Sequence, residues 1–280
     1  MSSSGAREGD VRSDLLWTPQ RLHDRLADPG LRIVDVRAGE RFAMGHVPGA
    51  RHFDVAGLAC DDTDEAPLGS FVRMWTTLAG NRGLSRDDTI VVYGNVAGSV
   101  SARAFWFLEF LGHADVHLLD GGYAAWLRAG LPVTRDAEPC KPARFEANPR
   151  RERLATYRDV LAALETPDMV VLDSRSEKEW RGLDVRAARG GAVPGAVNLD
   201  WRQHLTRDGE IRPTAELEAL FAAAGVTPDK DVIAYCQTGY RSAHAYLVLR
   251  LLGYPRVRNY LGSWAEWGNR PDLPITIPPT

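Results

Sequence analysis

Cys236 and Arg241 bracket the stretch Cys-Gln-Thr-Gly-Tyr-Arg, and its residue types suit nucleophilic sulfur chemistry. A thiol attacks only as its thiolate, so the surroundings must favour the anion. The backbone amides of Gln237, Thr238, Gly239, Tyr240 and Arg241 can point at one centre. Arg241 adds a fixed positive charge, and Gly239 permits a backbone conformation that strains other residues. The stretch reads as an anion cradle with a sulfur nucleophile at its base.

The flanking segments must position that cradle. Asp231 to Tyr235 is a short β-branched and aromatic run, the pattern of a buried strand. Ser242 to Leu252 turns helical, with Ala245, Leu249 and Leu252 at i, i+4 and i+7, and Gly253 stops it. The cysteine therefore leaves a strand and faces a helix N-terminus. The competing reading is a structural cysteine before an ordinary turn. His244, eight residues beyond Cys236, is expected on the helix surface, pointing away from the sulfur.

Composition narrows the class. The 280 residues suggest two domains, and 44% hydrophobic with 25% charged residues is ordinary for a soluble globular chain. A net charge of −3 gives no electrostatic case for nucleic acid. No apolar run approaches a membrane span, and the first residues carry no signal core, so a cytoplasmic location is expected. The three cysteines, Cys60, Cys140 and Cys236, are an odd, widely spaced set that favours neither a disulfide framework nor zinc. No metal or organic cofactor is indicated.

The chain repeats itself over about half its length. Leu31 to Arg37 and Met169 to Arg175 both read as strands ending in Asp-x-Arg. Val47-Pro48-Gly49-Ala50 matches Val193-Pro194-Gly195-Ala196, and strand-like pieces follow at His52-Phe53-Asp54 and Asn198-Leu199-Asp200. Thr89 to Tyr93 matches Asp231 to Tyr235, and Ser101 to Leu111 matches Ser242 to Leu252, each helix ending at a glycine, Gly112 or Gly253. Alternating strand and helix predict two α/β domains, each with a mostly parallel sheet flanked by helices. Residues 1–13 read as a disordered leader, 14–135 as a first domain, 136–153 as a linker and 154–280 as a second domain. Cys140 falls in the linker as a solvated thiol, and Cys60 heads an acidic segment, 61–65, expected to be a solvated loop.

Aligning the glycines places Asn95 opposite Cys236 and Gly98 opposite Gly239. The first half thus keeps the turn and lacks the nucleophile. That asymmetry suggests a scaffold domain beside a catalytic one, with a pocket expected at their interface.

Together these residues resemble the tandem-domain rhodanese family of sulfurtransferases over roughly 14–280. The resemblance rests on the turn His46 to Ala50, the loop Cys236 to Arg241 and the segment Gly262-Ser263-Trp264-Ala265-Glu266-Trp267-Gly268, within a repeat lacking the cysteine in its first half. It implies two rhodanese-like domains. It also implies a cycle in which Cys236 takes the sulfane sulfur of a donor such as thiosulfate and passes it to cyanide or a thiol. Residues 237–241 would bind the persulfide. The loop resembles a bacterial thiosulfate type more than the mercaptopyruvate type, which tends to carry Cys-Gly-Ser/Thr-Gly-Val-Thr. Mercaptopyruvate is therefore the second donor, and sulfur delivery to a protein acceptor a further alternative.

Four more residues are candidates for the pocket. Arg175 ends a strand at the cysteine's edge of the sheet, with an ion pair to Asp173 or Glu177 as the competing reading. Glu179 stands where many vertebrate members of the resembled family carry a substrate-binding arginine, and Arg181 is a candidate for the missing charge. Trp201 is a candidate wall, against the alternative of a core tryptophan. A phosphatase of related type needs a loop one residue longer, and a pure binding module fits only the half that lacks the thiol. The oligomeric state is not readable.

Overall fold

The computed structural model describes residues 14–137 and 139–279. The expected leader lies outside the described residues. The first half contains β1 (Leu16–Trp17), α1 (Pro19–Asp24), β2 (Leu31–Asp35), α2 (Gly39–Met44), β3 (Ala50–His52), α3 (Glu65–Asn81), β4 (Thr89–Tyr93), α4 (Ser99–Phe110), β5 (Val116–Leu119) and α5 (Gly122–Arg128). The second repeats the plan with β6 (Leu154–Ala155), α6 (Tyr157–Ala163), β7 (Met169–Asp173), α7 (Glu177–Trp180), β8 (Val197–Asn198), α8 (Thr214–Ala223), β9 (Asp231–Tyr235), α9 (Tyr240–Leu251), β10 (Val257–Tyr260) and α10 (Ser263–Trp267).

The sheets have the same order, β1-β5-β4-β2-β3 and β6-β10-β9-β7-β8, with every pairing parallel. The two-domain α/β reading of the sequence holds. Strand β9 is central, in register with β7 from Met169↔Asp231 to Asp173↔Tyr235. The short strands expected around residues 52–54 and 198–200 form slightly earlier, at Ala50–His52 and Val197–Asn198. Phe53 and Leu199 still donate backbone hydrogen bonds, but to Asp35 and Asp173 as the chain turns out of the sheet.

Helices α4 and α9 explain why the halves form one core. Both are buried along nearly all of their length. A helix apolar on every side must be covered on every side. These two pack on their own sheets and on each other, within one continuous cluster of buried residues from both halves. Glu109 of α4 joins Arg250 and Tyr246 of α9 at 3.0 and 2.6 Å.

The acidic segment is not a solvated loop. Thr63 is buried and gives its amide and hydroxyl to Glu266 at 2.8 and 2.7 Å. Asp64 binds Arg270 and Arg158 of the second half. Asp62 and Asp64 are thus pair members across the seam, while Asp61 and Glu65 are exposed. No helix among the described residues is long and apolar enough to cross a membrane.

Candidate active site

Cys236 follows the last residue of β9, and α9 begins at Tyr240, so the intervening loop closes between a central strand and a helix N-terminus. The peptide N–H of Cys236 donates to Ser263 Oγ (3.1 Å), whose hydroxyl donates to the Tyr260 carbonyl (2.7 Å). Ser263 has φ 53°, and no other non-glycine residue among those described has positive φ. The amides of Trp264 and Ala265 hold the carbonyls of Cys236 and Gln237 at 2.9 and 2.8 Å. The Gly-Ser-Trp segment noted in the sequence therefore anchors the entry to the loop.

The sulfur is buried and its thiol is shifted toward the thiolate. Burial opposes ionisation. The charge of Arg241, the Ser242 hydroxyl and the amides of Ser242 and Thr238 outweigh it and lower the pKa below its ordinary value. Ser242 Oγ lies 3.5 Å from the sulfur. Gly239 caps α9 with φ 80°, and a Cβ there would lie 2.5 Å from Arg103 and 2.8 Å from the Leu261 carbonyl.

Arg241 is held by a carboxylate. Its two terminal nitrogens donate to Glu179 Oε2 and Oε1 at 2.7 and 2.8 Å. Glu179 also accepts from the Ser176 hydroxyl and amide in a capping box that opens α7. Burial pushes against its charge, but the bonds and charge of Arg241 and the Ser176 cap hold its pKa down to about 2. This pair forms part of the wall of a cleft of about 880 Å³, together with Lys178, Arg186, Trp201 and Arg202.

That cleft is lined by the second half alone, contrary to the expected interface pocket. Clefts of about 610 and 830 Å³ do lie between the halves, but neither is lined by the cysteine loop. Trp201 lines the cleft, with its ring edge against His244 at 5.2 Å. Arg175 does not line it. Its guanidinium pairs with Asp173 (2.6 Å), bonds to the Gly191 carbonyl (2.8 Å) and stacks on Trp264. Arg37 does the same with Asp35 and Gly45 in the first half. The Asp-x-Arg repeat is thus a structural pair that ties a strand end to the following loop. Arg181 binds Glu177 one helical turn away and also stays out of the cleft. Among the described residues, no group of three or more His, Cys, Asp or Glu could hold a metal ion.

The first half reaches the loop from behind. Arg103 donates to the Gly239 carbonyl at 3.1 Å, and Tyr240 donates back to the Val55 and Leu58 carbonyls at 2.6 and 3.1 Å. His244 is buried, not on the helix surface. Its Nε2 donates to the Ala97 carbonyl (2.9 Å), and its Nδ1 faces His204 Nδ1 at 3.3 Å. Desolvation lowers its pKa to about 4. Since Nε2 carries the proton in the neutral ring, His244 Nδ1 accepts and His204 donates. Arg103, Ser242 and Ser263 were not singled out from the sequence. A lone arginine inside the apolar run 102–108 was the available signal for the first.

A profile for the rhodanese-like domain matches residues 18–129 and again 156–270. The chain belongs to the rhodanese family. A thiosulfate sulfurtransferase of Azotobacter vinelandii is 35% identical over 263 residues, covering 94% of this chain and 97% of that protein. The sulfur carrier protein TtuD of Thermus thermophilus is 35% identical over 284 residues, covering 95% and 98%. A solved structure of an anaerobic ergothioneine biosynthesis enzyme from Chlorobium limicola superposes with a TM-score of 0.83 at 23% identity, covering 94% of this chain and 70% of that one. That last likeness concerns the rhodanese fold alone.

Proposed function

We propose that the chain is a thiosulfate sulfurtransferase working through a persulfide on Cys236. The observation that carries the reading is a buried thiol whose pKa is lowered by Arg241, Ser242 and loop amides. The Cys236 thiolate attacks the outer sulfur of thiosulfate, the S–S bond of the donor breaks, and its electron pair leaves with sulfite. The enzyme then holds Cys–S–S⁻, an anion that the amides of 237–241 stabilise. Cyanide or a thiol takes the terminal sulfur and restores the thiolate. Arg241, at the cleft wall, attracts the dianionic donor. Residues 154–280 serve as the catalytic domain, 14–135 as its scaffold and 136–153 as the connection. A cytoplasmic, reducing setting fits the three free cysteines.

A second reading, persulfide delivery to a protein acceptor, is favoured by the Thermus relative, whose name is that of a sulfur carrier. It uses the same cysteine. The test is intact mass after thiosulfate and again after cyanide. One sulfur gained, then lost, and no gain in Cys236→Ala is the expected result. Repetition with mercaptopyruvate ranks that donor. No gain with either donor would favour a protein-fed carrier or a binding role.

A further inference from the structure

Arg103 is fully buried, yet no carboxylate among the described residues pairs with it. The buried Arg37 and Arg175 each face their own aspartate. Arg103 gives one nitrogen to the Gly239 carbonyl, and its Nε and Nη2 find no hydrogen-bond partner among the described residues. Around it stand the rings of Tyr240, Trp106 and Phe107, with centroids at 5.0, 5.2 and 5.9 Å. A buried charge without a counter-charge is strongly disfavoured. Even with its pKa lowered by desolvation to about 10, the guanidinium remains charged at neutral pH.

The acidic groups that act on it are Tyr240, Cys236 and Cys60. Burial raises the pKa of Tyr240, whose hydroxyl donates to two carbonyls. Burial also raises that of Cys60, whose thiol donates to the Asp62 carbonyl at 3.0 Å. Both stay neutral. Cys236 is shifted the other way. Of the three, the group shifted toward its anion is Cys236, whose loop Arg103 touches at the Gly239 carbonyl.

Comparison of the halves sharpens this. Arg103 and His244 occupy the same place, each nine residues before its helix-ending glycine, Gly112 or Gly253. Each reaches across the seam to a carbonyl of the other half's loop, Arg103 to Gly239 and His244 to Ala97. The loop that lacks a thiol receives a neutral imidazole. The loop that holds the thiol receives a cation.

We infer that Arg103 of the cysteine-free half is a positioning residue for sulfur transfer, bracing the loop at Gly239 and supplying positive charge behind the Cys236 thiolate and its persulfide. The persulfide part of this inference rests on the function proposed above. The thiolate part is tested without any sulfur donor.

The experiment follows alkylation of Cys236 by iodoacetamide against pH, with peptide mass as readout, in the wild type, Arg103→Gln and Arg103→Lys. Glutamine keeps a donor for Gly239 and removes the charge. Its titration midpoint is expected to move up, with about tenfold slower alkylation at pH 7. Lysine is expected to stay near wild type. A folded Arg103→Gln with an unmoved midpoint overturns the inference and leaves the proposed function standing. An ordinary thiol midpoint in the wild type would instead count against the proposed function. A second measurement is a double-mutant cycle at pH 8. Cys236→Ser is expected to lower the melting temperature less in the Arg103→Gln background than in the wild type, and an equal loss in both backgrounds also overturns the inference.

Discussion

The carboxylate of Glu179 grips the guanidinium of Arg241 through two parallel hydrogen bonds, 2.7 and 2.8 Å long. The pair fixes the direction of the one cation within the cysteine loop. It also places a negative charge in a cleft proposed to admit a dianion. Glu179→Gln would release that negative charge and keep a hydrogen-bonding side chain. The expected result is a lower KM for thiosulfate, a Cys236 thiol pKa lowered further, and a stability loss of roughly 1–3 kcal/mol from the weakened pair. Steady-state kinetics with denaturant melts measures both. A higher KM would mean that aiming Arg241 outweighs the repulsion.

Acid should destabilise the fold in two stages. His244 has a folded pKa of about 4 against 6.5 for the free side chain. Below pH 6.5 the unfolded chain binds a proton that the folded one refuses, so stability falls until about pH 4, by on the order of 1 kcal/mol per pH unit. Glu179 acts later. Its folded pKa is about 2 against 4.5, so its contribution is complete above pH 4.5 and is lost as pH falls toward 2. Urea midpoints should show the first slope shrink in His244→Gln, with His204 and His113, which burial also shifts down, keeping the rest, and the second slope shrink in Glu179→Gln. An unchanged first slope in His244→Gln would assign it to other groups.

The cysteines should separate cleanly by role. Cys236→Ala is expected to abolish transfer while the melting temperature shows a folded protein. Cys140→Ser, at a half-exposed site, should leave turnover near wild type. Cys60→Ser should keep turnover while losing on the order of 1 kcal/mol, since a buried thiol packed beside Asp62 becomes a hydroxyl. A large loss of turnover in either serine variant would contradict the assignment of the chemistry to Cys236.

Gly239→Ala should disable the loop. A left-handed conformation costs an L-residue about 1–2 kcal/mol. The added methyl would also meet Arg103 and the Leu261 carbonyl, 2.5 and 2.8 Å away. Turnover should fall at least tenfold and the melting temperature should drop. Near-normal turnover would show that the loop tolerates a different path.

The sequence made the strands, the repeat and the cysteine loop legible because these depend on local patterns. Strand β9 and its loop fell where the β-branched and aromatic run 231–235 and Gly239 placed them. What stayed hidden depends on partners far along the chain. Glu179 lies 62 residues from Arg241, so its ion pair could not be read from spacing. His244 looked like a surface residue because its covering groups, Ala97 and His204, come from other elements. Asp62 and Asp64 looked solvated for the same reason, as their cations, Arg158 and Arg270, lie beyond the seam. Arg175 was ambiguous, and burial against Asp173 resolved it as a structural pair.

Glu109 and Arg250 meet across the seam, and they stand at equal distances before Gly112 and Gly253, as Arg103 and His244 do at theirs. Matching positions that touch one another are the mark of an isologous contact, the geometry of a symmetric homodimer. In such a dimer, identical genes would force the same residue behind both loops. Joining the copies in one chain lifts that constraint. Position 103 is free to carry a cation while position 244 carries a neutral ring, so one protomer-like half can specialise as the electrostatic backing of the other.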